Sequence, residues 1–265
     1  MIASAVRHDP ESVSADLLAL TLSLGRPERD LIIIAEGNTS ERIDPDHLVV
    51  KASGSGMASA TVDDFVVAEI SALAALLDDP AADQAAVTAA LDAGVINGRQ
   101  RRGSIEALVH VSVQALSPDP TATRFVGHTH PTQVVGLLAS IHAEHAWDRH
   151  VYSDEAVVIG RPLFVPYAMP GIALGKLFHS TLRERVTETG VMPSLILLGN
   201  HGIVAVGPTA DAVDGISAMA VKGAQVRTIG YSVGGVAPLS EESVAKFIAR
   251  ADIAERVANI SQGSL

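Results

Sequence analysis

Two histidines flank a single threonine in the stretch VGHTHPTQVV, residues 126–135. In an extended strand, residues i and i+2 point to the same face. His128 and His130 would therefore present two imidazoles side by side, close enough for one ion. Imidazole suits zinc, iron, copper and nickel. Read alone, the pair is equally well two ordinary strand-end histidines. A third imidazole strengthens the metal reading. His201 follows the apolar run SLILLGN, between Asn200 and Gly202. The glycines at 199 and 202 let the backbone turn sharply and come close to a ligand. Three histidines at strand ends make a catalytic-zinc ligand set when a fourth position stays open for water or substrate. Such chemistry also needs an acid/base. Glu106, just after RRGS, can serve. Its plain alternative is a carboxylate placed in a first helical turn by capping preference and the helix dipole, with Gly103 or Ser104 as the cap.

Two further loops have the composition of anion cradles. EGNTS (36–40) and KASGSG (51–56) each follow an apolar run. Their free N–H groups and hydroxyls can hold a phosphate or carboxylate, although ordinary turns have the same look. Arg99, Arg101 and Arg102 can add charge, or form a solvated basic loop. The chain as a whole carries a formal charge of −11. It repels phosphate backbones and anionic surfaces, which argues against nucleic acid and membranes as partners. A small anionic substrate would need a local site. There is no cysteine, hence no disulfide or thiolate chemistry, in keeping with a cytoplasmic setting. The N-terminus lacks the pattern of a secretory signal. The longest apolar runs, such as LIIIA, fall far short of the roughly 20 residues that span a bilayer.

The elements that must position these side chains read as alternating strands and helices. SVSADLLALTLSLG predicts a helix ending at Gly25. DLIIIAEGN predicts a strand into a loop, as do DHLVVKASGSGM and DDFVVAEI. AADQAAVTAALDAG predicts a helix that stops at Gly94, followed by a basic loop NGRQRRGS and a helix over IEALVHVSVQALS. TRFVGHTH is a strand and TQVVGLLAS a helix. EAVVIG and PLFVPY read as short strands. A helix opened by Pro170 and closed by Gly190 follows, then two strands in SLILLGNHGIVAVG and a long helix from TADAVDG. A final helix, 241–260, carries Val244, Phe247, Ile248, Ala251 and Val257 on one face. No linker or repeat interrupts the series. The chain therefore reads as one α/β domain, 1–265, with helices covering a central sheet. The stretch VGGVAPLS leaves the segment 239–265 free to dock on a neighbouring subunit.

The segments EGNTS, VKASGSGM, GSIEALVH, VGHTHP, FVPYAMPG and LLGNHGIVAVG, in this order, resemble the class II aldolase/adducin family over about residues 30–230. The resemblance implies a three-layer α/β/α domain with a largely antiparallel central sheet, assembled as a homotetramer with active sites near subunit interfaces. It implies that His128, His130 and His201 hold one divalent ion, with zinc foremost and manganese, cobalt or iron as alternatives. Glu106 falls where the family keeps its acid/base, which can also touch the metal. Asn38, Ser53, Gly54 and Ser104 fall where family members bind the substrate's phosphate or equivalent anion. Two positions depart from the family: Ser53 where threonine is frequent, and Ile105 where a second serine is frequent. The implied reaction is retro-aldol cleavage of a ketose phosphate or related hydroxy-keto compound through a metal-stabilised enediolate, with Glu106 transferring the proton. A decarboxylase, a sugar-phosphate 4-epimerase and a non-catalytic adducin-like module are the alternatives, in that order. The complete set of three histidines and Glu106 favours an enzyme.

Overall fold

The fold is built from strands whose two faces are both apolar. In β3 (His47–Lys51) and β4 (Phe65–Glu69), Val49, Phe65 and Val67 bury on one side of the sheet while Leu48, Val50, Val66 and Ala68 bury on the other. Alternation with period two and apolar residues at every step is what a sheet covered on both faces requires. Each of these Val, Leu and Phe side chains, fully buried, contributes about 1.5–3 kcal/mol relative to exposure. The computed structural model describes residues 4–261, with side chains as far as 256.

The other strands are β1 (Val6–Arg7), β2 (Asn38–Arg42), β5 (Asp92–Ile96), β6 (Arg99–Arg102), β7 (Phe125–Thr129), β8 (Leu163–Val165), β9 (Leu195–Leu198) and β10 (Gly202–Gly207). The helices are α1 (Ala15–Leu24), α2 (Ile70–Asp78), α3 (Gln84–Ala90), α4 (Ala107–Leu116), α5 (Thr132–Leu138), α6 (Ser153–Val158), α7 (Ile172–Thr189), α8 (Ala210–Ser232), α9 (Glu241–Ile248) and α10 (Ala251–Ser261). Eight strands form one sheet in the order β1-β4-β3-β2-β7-β10-β9-β8. Every pairing is antiparallel except β8 with β9. Helices α1, α5 and α8 cover one face, and α2, α4 and α7 the other. This is the expected three-layer α/β/α arrangement. No described helix is long and apolar enough to cross a membrane.

Strand β7 sits in the middle of the sheet, between β2 and β10. Phe125 packs under α1 and α8, and Val126 packs on the opposite face, against α4 and α7. His128 is in phase with Val126, so it points to the α4 side. Gly127 faces α8, where an added Cβ would come within 2.8 Å of Val213 and 3.1 Å of Leu24. The small residue there lets α1 and α8 close on the strand.

Five local expectations are corrected. The run LIIIA is not a strand: Ile33 and Ile34 are exposed, Ile34 has φ +53°, and the backbone carbonyl of Leu31 instead accepts from His130 N at 2.8 Å. β-Propensity yields here to a loop that braces the end of β7. The Ala-rich helix α3 stops at Ala90, and Gly94 lies within β5. The basic segment is not a loop but the strand β6 of a hairpin, turned at Asn97-Gly98 with φ +51° and +75°, the pairing of residues that a two-residue turn of this hand demands. The first four residues of EAVVIG lie in α6 rather than a strand, because Glu155 turns inward to pair with Arg227 of α8. The C-terminal helix is broken at Ala249–Arg250 into α9 and α10, and both pack on α6 of their own chain. The Val257 side chain lies outside the described residues.

Candidate metal centre

Four donor groups converge at one edge of the sheet. His128 is the penultimate residue of β7, His130 follows that strand, and His201 stands in the turn between β9 and β10. Glu106 precedes the first turn of α4, which packs over the same face of the sheet. Ligand atoms of Glu106, His128, His130 and His201 all lie within 4.8 Å of one another. The Nε2 atoms of His128 and His130 are 3.0 Å apart. Glu106 places Oε2 3.3 Å from His128 Nε2 and Oε1 3.0 Å from His201 Nε2. Donors bound at about 2.0–2.1 Å to a tetrahedral ion are separated by roughly 3.3 Å, so the spacing fits a first-row divalent cation.

The tautomers fit as well. His128 Nδ1 donates to the carbonyl of Ile203 at 2.9 Å, which leaves its Nε2 lone pair directed at the other donors. His130 Nδ1 lies 3.5 Å from Glu36 Oε2. His201 Nδ1 is buried with no hydrogen-bond partner. The ring nitrogens and the carboxylate converge on one point: the Nε2 atoms of His128 and His130 face each other, and Glu106 faces His128 and His201. The charges respond accordingly. Burial would raise Glu106, but His128 and His201 beside it hold its carboxyl far below the usual range. Burial would lower His128, but the Glu106 charge outweighs it and raises the imidazole. Burial and the neighbouring His128 and His201 push His130 down to about 3. One anion among three imidazoles would leave a divalent ion held there a net positive charge.

The four residues expected to hold an anion fall into two groups. Asn38 is buried at the start of β2, its Nδ2 donating to Ser104 Oγ at 3.1 Å and to Glu106 Oε2 at 3.0 Å. Ser104 and Asn38 thus touch the metal centre itself. Ser53 and Gly54 line a neighbouring polar cleft of about 590 Å³, together with Ser55, Arg99 and Arg101. A β-bridge between Ala52 and Gly103 joins the cleft to the approach of Glu106. Gly54 has φ +83° with open space around its Cα, so its backbone is free on the cleft side. Arg101 pairs with Asp64 at 3.2 Å yet keeps a buried Nε–H without an acceptor. Beneath the loop, burial lowers Lys51 to about 8, with Asp64 and Glu106 opposing. Its ammonium donates to the carbonyls of Ala52 and Ser55.

One buried residue of the centre escaped the sequence reading. His110 stands four residues after Glu106, hence on the same face of α4, and contacts Asn38 and Ser40. That i, i+4 spacing was the available signal.

With this geometry in place, comparison with known proteins gives the class. Residues 15–226 match the model of the class II aldolase and adducin N-terminal domain, and the chain belongs to that family. No curated protein sequence gives a significant match. Among solved structures, L-fuculose-1-phosphate aldolase from Thermus thermophilus is similar at 19% identity and TM-score 0.59, over 87% of this chain and all of that one. The class II aldolase domain of a conserved protein from Thermoplasma acidophilum is similar at 21% identity and TM-score 0.59, over 80% of this chain and 91% of its own. YgbL from Klebsiella pneumoniae, described as an aldolase/epimerase/decarboxylase, is similar at 16% identity and TM-score 0.63, over 90% and 98%. At these identities the likeness is one of fold.

Proposed function

We propose that this protein is a divalent-metal-dependent carbon–carbon lyase that cleaves a ketose phosphate or related hydroxy-keto compound by retro-aldol chemistry. The observation that carries the reading is the convergence of Glu106 with three imidazoles at one sheet edge. His128, His130 and His201 would hold the ion, zinc or another first-row cation. When bound, the ion supplies Lewis acidity that offsets the negative charge left as the carbon–carbon bond breaks. Glu106 is poised beside that charge. Its carboxylate, anionic in this surrounding, accepts the proton of the substrate hydroxyl or returns one to carbon. Asn38 and Ser104 hold Glu106 in place. The Ser53–Gly54 loop, with Arg101, would take the substrate's distal anion, through backbone N–H groups, hydroxyls and guanidinium. Binding energy at that remote group orients the reacting carbon over the ion.

The whole chain, 1–265, is proposed to act as one domain, in a cytoplasmic homotetramer. Exposed Ile33, Ile34, Tyr167 and Met169 on the loops around the centre are the surface that supports an assembly. Decarboxylation of a keto or hydroxy acid is the second reading, because it develops the same charge and because YgbL is described with that alternative.

Metal content should be one ion per chain by elemental analysis. A panel of ketose phosphates and β-keto or hydroxy acids, with products identified by mass, then decides the reaction. An aldehyde product supports the lyase. CO₂ release moves the decarboxylase ahead, and protein that neither holds a divalent ion nor converts any member of the panel defeats both.

A further inference from the structure

His110 is wholly buried on α4, one turn beyond Glu106. Its Nδ1 is 2.7 Å from Ser40 Oγ and its Nε2 is 2.5 Å from Asn38 Oδ1. We propose that His110 is a positioning residue, which fixes the Asn38 amide and through it the Glu106 carboxylate by a hydrogen-bond chain of one direction. The inference deepens the function proposed above and rests on the role given there to Glu106.

The direction follows from the donors available. An ionised carboxylate only accepts, so Asn38 must turn its Nδ2 toward Glu106 Oε2, where it stands at 3.0 Å. Turned the other way, the amide oxygen would face the carboxylate oxygen, two acceptors in contact. Asn38 Oδ1 therefore faces His110, and an amide oxygen also only accepts. His110 Nε2 must then carry the hydrogen, leaving Nδ1 with a lone pair that accepts from the Ser40 hydroxyl. Burial holds this imidazole down to about 3, with His128 adding to the effect, so it stays neutral and supplies a single N–H. Ser40 and Asn38 both lie on β2, in phase on the face toward α4. The chain thus ties β2 to α4 beneath the carboxylate. The charge on Glu106 in turn selects the tautomer of an imidazole it does not touch. Without His110, the Asn38 amide loses the partner that holds its oxygen away from Glu106. A carboxylate that wanders is a poorer metal donor and a poorer base, and outer partners of this kind are worth roughly 10–100-fold in metal affinity or activity.

Two measurements decide the matter. In metal-free, 15N-labelled protein at neutral pH, long-range proton–nitrogen correlation should show His110 as the Nε2–H tautomer, and Asn38→Ala should shift the balance. A His110 found as the Nδ1–H tautomer overturns the chain. In Mn²⁺ titrations, His110→Phe, which fills the space but makes no hydrogen bond, should weaken binding by roughly tenfold or more. His110→Gln, whose amide can donate to Asn38 Oδ1, should restore most of it. In a Glu106→Ala background the His110→Phe loss should vanish. An equal loss in that background, or equal losses for Phe and Gln, would mean that His110 only packs, and the proposal fails. Wild-type protein that binds no Mn²⁺ or Zn²⁺ defeats the proposed function instead, and the tautomer measurement still rules on the chain.

Discussion

Two buried clusters among the described residues, the Arg227–Glu155 pair and the candidate metal centre, differ in what their hydrogen bonds leave over. Arg227 on α8 and Glu155 on α6 form an ion pair with side-chain exposures of 1% and 0%. The guanidinium donates both to Glu155 and to the carbonyls of Ala146, Arg149 and Gly223, and it stacks on Trp147 at 4.0 Å. Glu155 also accepts from Val151 N. Every N–H of the arginine is used. At the candidate metal centre, three imidazoles and one carboxylate converge within 4.8 Å, and His201 Nδ1 has no partner. The first cluster is closed, and it ties the segment 146–155 to α8. The second is open, with four donor groups close enough to hold one cation. A buried polar cluster with nothing left over is a fastening, and one with convergent surplus acceptors is a binding site.

The contrast predicts opposite responses to truncation. Replacing His128, His130 or His201 by Ala should abolish stoichiometric metal binding, because each change removes one of the four convergent donors. Retention of one tightly held ion by all three variants would break the comparison at its strongest point. Glu106→Gln keeps the shape but loses the base. Turnover measured at saturating metal should fall by about 10²–10⁴-fold, and an unimpaired variant would move the proton transfer elsewhere. On the closed side, Arg227→Ala leaves Glu155 buried without its partner and should cost about 3–5 kcal/mol in denaturant unfolding, with metal stoichiometry unchanged. A cost under about 1 kcal/mol would mean that the pair is no fastening.

Smaller is the pH response of the metal-free protein. An unfolded histidine takes up a proton near pH 6.5, whereas buried His110 does so only at about 3. Between those values the unfolded chain binds more protons, so stability falls as pH drops through that window. Chemical denaturation at a series of pH values should show that fall, with a shallower slope in His110→Gln. Identical slopes would place the proton uptake on another group.

Much of this was legible in the residues themselves. The His-X-His period places both imidazoles on one face, and the glycines around His201 mark a turn at a strand end. Glu106 at a helix start lies where α4 begins over β7. What was not legible depended on tertiary partners. LIIIA has the composition of a strand, but its backbone is claimed by the end of β7. EAVVIG is β-branched, but Glu155 is needed on the α8 side and a helix delivers it. The Asn97-Gly98 turn was hidden because the residues after it, Arg99 to Arg102, are charged or polar rather than alternately apolar. His110 sits in a helix of ordinary apolar composition, and only the fold brings β2 beneath it.

The position of β7 has a consequence for the order in which the molecule assembles. Asn38 pairs opposite His128, and His128 opposite Val204, so the central strand joins segments from three distant parts of the chain. The hairpins β2–β3 and β9–β10 close over short loops, but β7 gains its two neighbours only after long ones close, which is the slow part of folding a sheet. The four candidate ligands are therefore expected to come together late. An ion cannot template the early steps, and its capture during refolding, followed by the signal of a spectroscopic cation such as Co²⁺, would time the closure of the sheet.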